Sequence, residues 1–172
     1  MSFVPATLFA LLTRVCAGIG AALFVAAGAM LTYEVVARYF FTAPTIWAAE
    51  LSQLCLIWGT LLSMAYVLAH GRHIAVDAVA GRLPYAVRRV TETLALGVVA
   101  VFSGFVVWYG SKIFWDSFER GRTTGSMLDL PSWLAELPVP VGFAVLGIQA
   151  VLSMRNAWAG RFLTAGHGEG EA

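Results

Sequence analysis

The chain has 172 residues, of which 59% are hydrophobic and 12% charged, with a formal net charge of +1 and a mean hydropathy of +0.77. Soluble domains carry roughly 25% charged residues, so this composition excludes an ordinary soluble fold and points to a single membrane-embedded domain, 1–172. No basic run suggests nucleic acid, and the two cysteines, Cys16 and Cys55, lie in apolar segments without the C-x-x-C spacing of a redox or zinc motif.

The first apolar run is not a signal peptide by pattern. It has no basic leader, Arg14 follows the first apolar residues, and the run outlasts an h-region. We expect a retained membrane helix over 15–37. Gly18, Ala22, Ala26 and Ala29 fall on one of its faces at spacings of four, four and three. Such a stripe lets a neighbouring helix approach closely; the general abundance of Ala and Gly in membrane helices explains the composition but only weakly the stripe. Glu34 and Arg38 close the helix as an i, i+4 pair with the acid first, the favourable order. A short loop follows, with Pro44 and Thr45 as helix-start residues. It forces an antiparallel hairpin and brings Arg38 within reach of Glu50 as well as of Glu34.

The second helix is expected over 46–69, an apolar segment long enough to span a bilayer, with polar residues at both ends. Trp47 and Glu50 occupy its first turns, where a carboxylate gains from the helix dipole. Gly59 and Ser63 form another pair of small residues. Trp58 lies nearer the membrane centre, so its indole N–H needs a partner. Gly71 caps the helix, and the loop after it holds Ile74, Val76, Val79 and Leu83 alternating with charge, the pattern of a short interfacial helix. Arg72, His73 and Asp77 are candidates for binding lipid head groups or orienting this loop. With His70 they match no metal-ligand spacing, and no metal or cofactor is expected.

Pro84 opens a third helix, 90–114, whose far end carries Phe102, Phe105, Trp108, Tyr109, Phe114 and Trp115, an interfacial aromatic belt. After a longer loop, a fourth helix over 137–154 has Pro138 and Pro140 in its first turn, where a missing N–H matters least. Residues 155–172 form a polar tail. With the N-terminus inside, the inner side holds seven of the 11 Lys and Arg residues and the outer side four, which favours N-in, C-in. The expected fold is therefore an all-α integral membrane protein. Four transmembrane helices, three of them packed around the second, carry a short interfacial helix in the cytoplasmic loop.

The polar residues around the second helix carry a resemblance. Arg38-Tyr39-Phe40-Phe41, Pro44, Trp47, Glu50, Trp58 and Gly71-Arg72-His73-Ile74-Ala75-Val76-Asp77 resemble the small membrane subunit of TRAP transporters, the DctQ-like family. Leu83-Pro84, Pro131 and Pro138 also fall where the family carries proline. The likeness spans nearly all four helices. It departs at Thr42, where many relatives carry Asn, and at Ala49, where an acid often precedes the matching Glu. The resemblance implies a tripartite, sodium-coupled system for organic acid uptake in the bacterial inner membrane. In it a periplasmic binding protein captures the substrate, a large membrane subunit carries it inward, and the small subunit is a scaffold that helps dock the binding protein.

The residues themselves fit a packing role. There is no discontinuous helix pair or internal repeat, the usual signs of an alternating-access site. No acid sits at the middle of an expected span, where an ion pathway would place one. Arg38 with Glu34 and Glu50 reads either as a docking site or as a clamp within the hairpin, and the spacing alone satisfies the clamp. The competing function is an autonomous four-helix exporter of the small multidrug type, which needs a membrane-embedded Glu in its first helix. A membrane enzyme would need paired cysteines near a surface or histidines facing one another inside the bundle. His70, His73 and His167 all lie outside the expected spans.

Overall fold

Residues 4–70, 85–126 and 128–158 are described by the computed structural model. They form α1 (Val4–Phe40), α2 (Trp47–Ala69), α3 (Tyr85–Glu119), the single turn α4 (Trp133–Glu136) and α5 (Pro138–Trp158). Four stretches, Leu8–Phe40, Trp47–Ala69, Thr93–Glu119 and Trp133–Arg155, are long and apolar enough to cross a membrane, as the sequence implied. The expected interfacial helix, with the Gly71 cap and Arg72, His73 and Asp77, lies outside the described residues.

Three helices overrun their expected limits, α5 by four residues, to Trp158, into the stretch expected as a polar tail. α1 has 37 residues and α3 has 35, which at 1.5 Å per residue is about 55 and 52 Å, against a hydrocarbon core of roughly 30 Å. The added turn and more of α1 contains Ala6, Leu8, Ala10, Leu11 and Leu12, all good helix formers. Apolar content marks where a chain meets lipid; it does not mark where the backbone ladder stops.

The helices do not surround α2. Among the described residues α1 packs on α2, α2 on α5, and α5 on α3, and neither α1 with α3 nor α2 with α3 makes a substantial contact. The arrangement is an open row with α1 and α3 at its edges, which corrects the expectation of three helices around the second. Burial follows the order: 39% of the apolar window of the α5 span is buried, against 11% for α1 and for α3. α5 seats through its glycines. A Cβ on Gly142 would stand 2.8 Å from Cβ of Leu61 on α2, and one on Gly147 would stand 3.2 Å from Cβ of Ser103 on α3. Leu68 of α2, Leu96 of α3 and Leu146 and Ala150 of α5 share one buried cluster.

The hairpin of α1 and α2 packs along a seven-residue repeat. Thr13, Gly20, Ala27 and Glu34 are buried on α1, and Cys16, Leu23, Met30 and Ala37 lie between them, half-buried or buried. This is the a/d seam of a coiled coil. Its closest approach is at Gly20. A Cβ there would lie 2.7 Å from the Gly59 carbonyl and would also strike Ser63 Oγ. Gly59 and Ser63 thus serve as expected, but Gly20 meets them, not the Gly18 stripe. Gly18 and Ala22 are exposed, Ala26 is half-buried, and nothing lies within 4 Å of a Cβ on Gly18. Gly18 and Gly20 are two residues apart, about 200° around the helix. Both faces are rich in small residues, so composition alone could not choose between them.

Several hydroxyls in the spans are turned inward on their own helices, although those of Thr93 and Ser117 are buried without a partner. Thr32 donates to the Gly28 carbonyl at 2.8 Å, Thr60 to Leu56 at 2.7 Å and Ser103 to Val99 at 2.7 Å. In lipid no water replaces such partners. Cys16 and Cys55 are free and half-buried, in keeping with structural thiols.

Candidate functional site

The ion pairs of the described residues gather at the end of the row that holds the 41–46 and 120–132 loops. Glu34 sits six residues before the end of α1 and is 5% exposed. Its Oε1 receives Arg38 Nη2 at 2.5 Å and Nε at 3.1 Å. Its Oε2 accepts the Thr45 backbone N–H at 2.8 Å and the Thr45 hydroxyl. Four donors therefore fill both oxygens, and one carboxylate ties the end of α1 to the start of α2. Thr45 spends its hydroxyl on Glu34, not on capping α2, whose first residue is Trp47 with no side-chain cap. Between them the chain reverses through Thr42, which adopts φ 49°, and the Ala43 N–H turns back onto the Ala37 carbonyl at 3.1 Å.

Glu50 belongs to a second network. Its Oε2 accepts the Ser126 hydroxyl at 2.7 Å and its Oε1 the Leu128 N–H at 3.4 Å. Because Ser126 donates to the carboxylate, Thr124 is the donor in its own 2.6 Å contact with Ser126. Among the described residues Arg38 pairs with Glu34 and not with Glu50. This corrects the expectation that the tight hairpin lets Arg38 bridge both acids. The i, i+4 partner lies on Arg38's own helix, and the second acid reaches across to the 120–132 loop instead.

That loop is itself a small antiparallel turn. Thr123 bridges Pro131, the Thr124 N–H bonds the Leu130 carbonyl at 2.9 Å, and the Ser132 N–H bonds Arg122 at 2.9 Å. Asp116 at the end of α3 receives Arg120 Nε at 2.6 Å and Arg122 Nη2 at 2.8 Å. Gly121 closes α3 with φ 58°, a conformation a glycine adopts without cost. Trp58 Nε1–H donates to the Leu134 carbonyl at 2.9 Å, which gives the indole the partner its depth demanded and joins α2 to α4. A pocket of about 320 Å³ lies between α2 and this loop, lined by Glu50, Gln53, Thr124, Ser126, Pro131 and Leu134 among others.

The structure thus brings Glu34, Arg38, Trp47, Glu50 and Trp58 to one end of the row, although in two separate networks. Trp47 stacks on Tyr33 with ring centroids 5.9 Å apart. Gly18, Ala22 and Ala26 lie elsewhere, along α1. Sequence reasoning missed Thr45 and Ser126 as partners of the acids. Hydroxyls in loops carry no signal of their own until the chain is folded. It missed Gly20 too, although the seven-residue spacing from Thr13 to Glu34 was a readable sign. Among the described residues no three His, Cys, Asp or Glu side chains converge as a metal site would require.

A family model described as tripartite ATP-independent periplasmic transporters, DctQ component, matches residues 27–160. The chain belongs to the DctQ family. It is a multi-pass protein of the inner membrane. The matched span includes Glu34, Arg38, Thr45, Glu50, Trp58 and Ser126, and so both networks at the loop end. The chain is similar to the C4-dicarboxylate TRAP transporter small permease protein DctQ of Rhodobacter capsulatus, 30% identical over 101 residues, which is 59% of this chain and 44% of that protein. It is also similar to the ectoine TRAP transporter small permease protein TeaB of Halomonas elongata, 26% identical over 116 residues, 67% of this chain and 60% of TeaB. A third likeness is to the sialic acid TRAP transporter permease protein SiaT of Haemophilus influenzae, 24% identical over 136 residues, 79% of this chain but 20% of SiaT. In each case the match spans less than two thirds of the relative's length.

Proposed function

We propose that this DctQ-family chain is the small membrane subunit of a tripartite, sodium-coupled TRAP transporter for organic acids. It acts as a scaffold for the large transport subunit and helps dock the periplasmic binding protein. The observation that carries the reading is the open row. Among the described residues the spanning helices pack chiefly in the order α1, α2, α5, α3, an open row that leaves no passage between them, so in this reading the path for substrate belongs to a partner. The SiaT likeness supports such a partner, because a segment like this chain makes up only a fifth of that permease. The relatives' names carry C4-dicarboxylate, ectoine and sialic acid, and all three compounds bear a carboxylate, which supports an organic acid as cargo. Glu34 argues against the autonomous exporter. Its oxygens are consumed by Arg38 and Thr45 at a helix end, whereas an exporter needs a free acid within the membrane.

In this reading the N- and C-termini are cytoplasmic, and the 41–46 and 120–132 loops face the periplasm, where a binding protein arrives. Glu34 with Arg38, Glu50 with Ser126, and Trp58 act as clamps that hold the docking end in shape. Arg72, His73 and Asp77 belong to the cytoplasmic loop beside the lipid head groups. Reconstitution in liposomes tests the proposal. The chain alone should transport nothing, and addition of the large subunit and binding protein should give sodium-driven uptake of an organic acid. Proton-coupled efflux by the chain alone would sink it.

A further inference from the structure

The outer face of α3 carries a cation that the networks above leave out. Arg38 is paired with Glu34, and Arg120 and Arg122 are paired with Asp116. Glu119 Oε1 accepts the Trp115 indole N–H at 2.8 Å. Among the described residues Lys112, at the same end of the molecule, has no carboxylate within ion-pair distance. Its Nζ stands 5.0 Å from the Trp108 ring centroid and 5.9 Å from that of Tyr109. Lys112 lies seven residues before the end of α3 at Glu119, about 10 Å along the axis. That depth, among Trp108, Tyr109 and Trp115, is the level of a membrane interface.

Beside this cation runs an open groove of about 620 Å³, lined by Gly104, Val107, Trp108, Ser111, Lys112 and Trp115, with Asp116 and Glu119 at its outer rim. Its deep part is apolar, and Gly104 contributes no side chain there. Ser111 differs from Thr32, Thr60, Thr91 and Ser103, which return their hydroxyls to their own helices. Among the described residues its exposed hydroxyl makes no hydrogen bond, so it is free to donate outward. From the membrane centre outward the groove therefore presents an apolar channel, then an ammonium and a hydroxyl, then carboxylates. A glycerophospholipid with an amine head group has the complementary order: an acyl chain, then a phosphodiester, then an ammonium.

We propose that this groove binds one aminophospholipid, its phosphate on Lys112 Nζ and Ser111 Oγ, its acyl chain along Gly104 and Val107, and its ammonium toward Glu119. The test uses the full chain in nanodiscs holding equal parts phosphatidylethanolamine and phosphatidylglycerol, released for native mass spectrometry. The wild type should keep one phosphatidylethanolamine in preference to phosphatidylglycerol. Lys112→Gln, at an exposed position and so without effect on the fold, should lower retention about tenfold, the scale of a lost charge-assisted hydrogen bond. Glu119→Gln keeps an oxygen for Trp115 but removes the charge, and should abolish the preference between the two lipids. Equal retention of both lipids by the wild type, or retention unchanged by Lys112→Gln, would overturn the proposal.

Discussion

Thr42 holds a backbone conformation that a β-branched residue rarely adopts, φ 49°, at the turn between α1 and α2. The family resemblance places Asn here, and Asn enters the left-handed region more readily than Thr. Thr42→Asn should therefore raise stability by about 1 kcal/mol, read as a higher melting midpoint in detergent; an unchanged or lower midpoint would show that the strain is absorbed elsewhere. The neighbouring ion pair should respond asymmetrically. The Arg38 side chain is 56% exposed and that of Glu34 is 7% exposed. Arg38→Ala leaves Glu34 with both donors of Thr45, so the drop in melting temperature should be small. Glu34→Ala strands the Thr45 N–H and opens a gap beneath it, and its drop should be clearly the larger. Neutralising Glu50 should rescue nothing in Arg38→Ala, because Glu50 is bonded to Ser126 and Leu128. At this scale the acids were legible in the sequence, and so was the need of Trp58 for a partner. Which groups answer them was not: Thr45 is 11 residues from Glu34 and Ser126 is 76 from Glu50, and nothing local marks such pairs.

Among the elements, α1 shows how far periodicity reaches. Its small residues were visible, and so was the hairpin with α2. The face that meets α2 was not singled out, because Gly18, Ala22 and Ala26 satisfy a helical period as well as Thr13, Gly20 and Ala27 do. What separates the two is the seven-residue spacing, which keeps one seam in register along both helices. Two substitutions distinguish the faces. Gly20→Ala puts a methyl against the Gly59 carbonyl and Ser63, and should destabilise the isolated chain by about 1–3 kcal/mol. Ala22→Leu points away from α2 and should stay within about 0.5 kcal/mol of the wild type. Under the proposed function the outer stripe meets a helix of the large subunit, so Ala22→Leu should still weaken co-purification with it. Undiminished co-purification would leave that face to lipid.

For the whole molecule, the proposed function puts the two loops at the Glu34 end outside. Single cysteines at Thr123 and at Tyr85, in a background with Cys16 and Cys55 replaced by Ala, should react with a membrane-impermeant reagent from opposite sides. Reaction of both from one side would reverse or break the topology. Composition made the four spans legible. It could not show that they form a row, because no single helix pattern says which other helix it will meet. The row also sets an order of assembly. α1 and α2 are neighbours in sequence and can close on each other as soon as both are inserted. α3 enters next and, among the described residues, makes no substantial contact with either of them. α5 packs on both α2 and α3, with Gly142 against Leu61 and Gly147 against Ser103, and the short turn α4 that precedes it also touches both. Until α5 arrives, α3 has little packing to hold it to the α1–α2 hairpin. Among the described helices, α5 is thus the one on which the attachment of α3 to the α1–α2 hairpin chiefly depends.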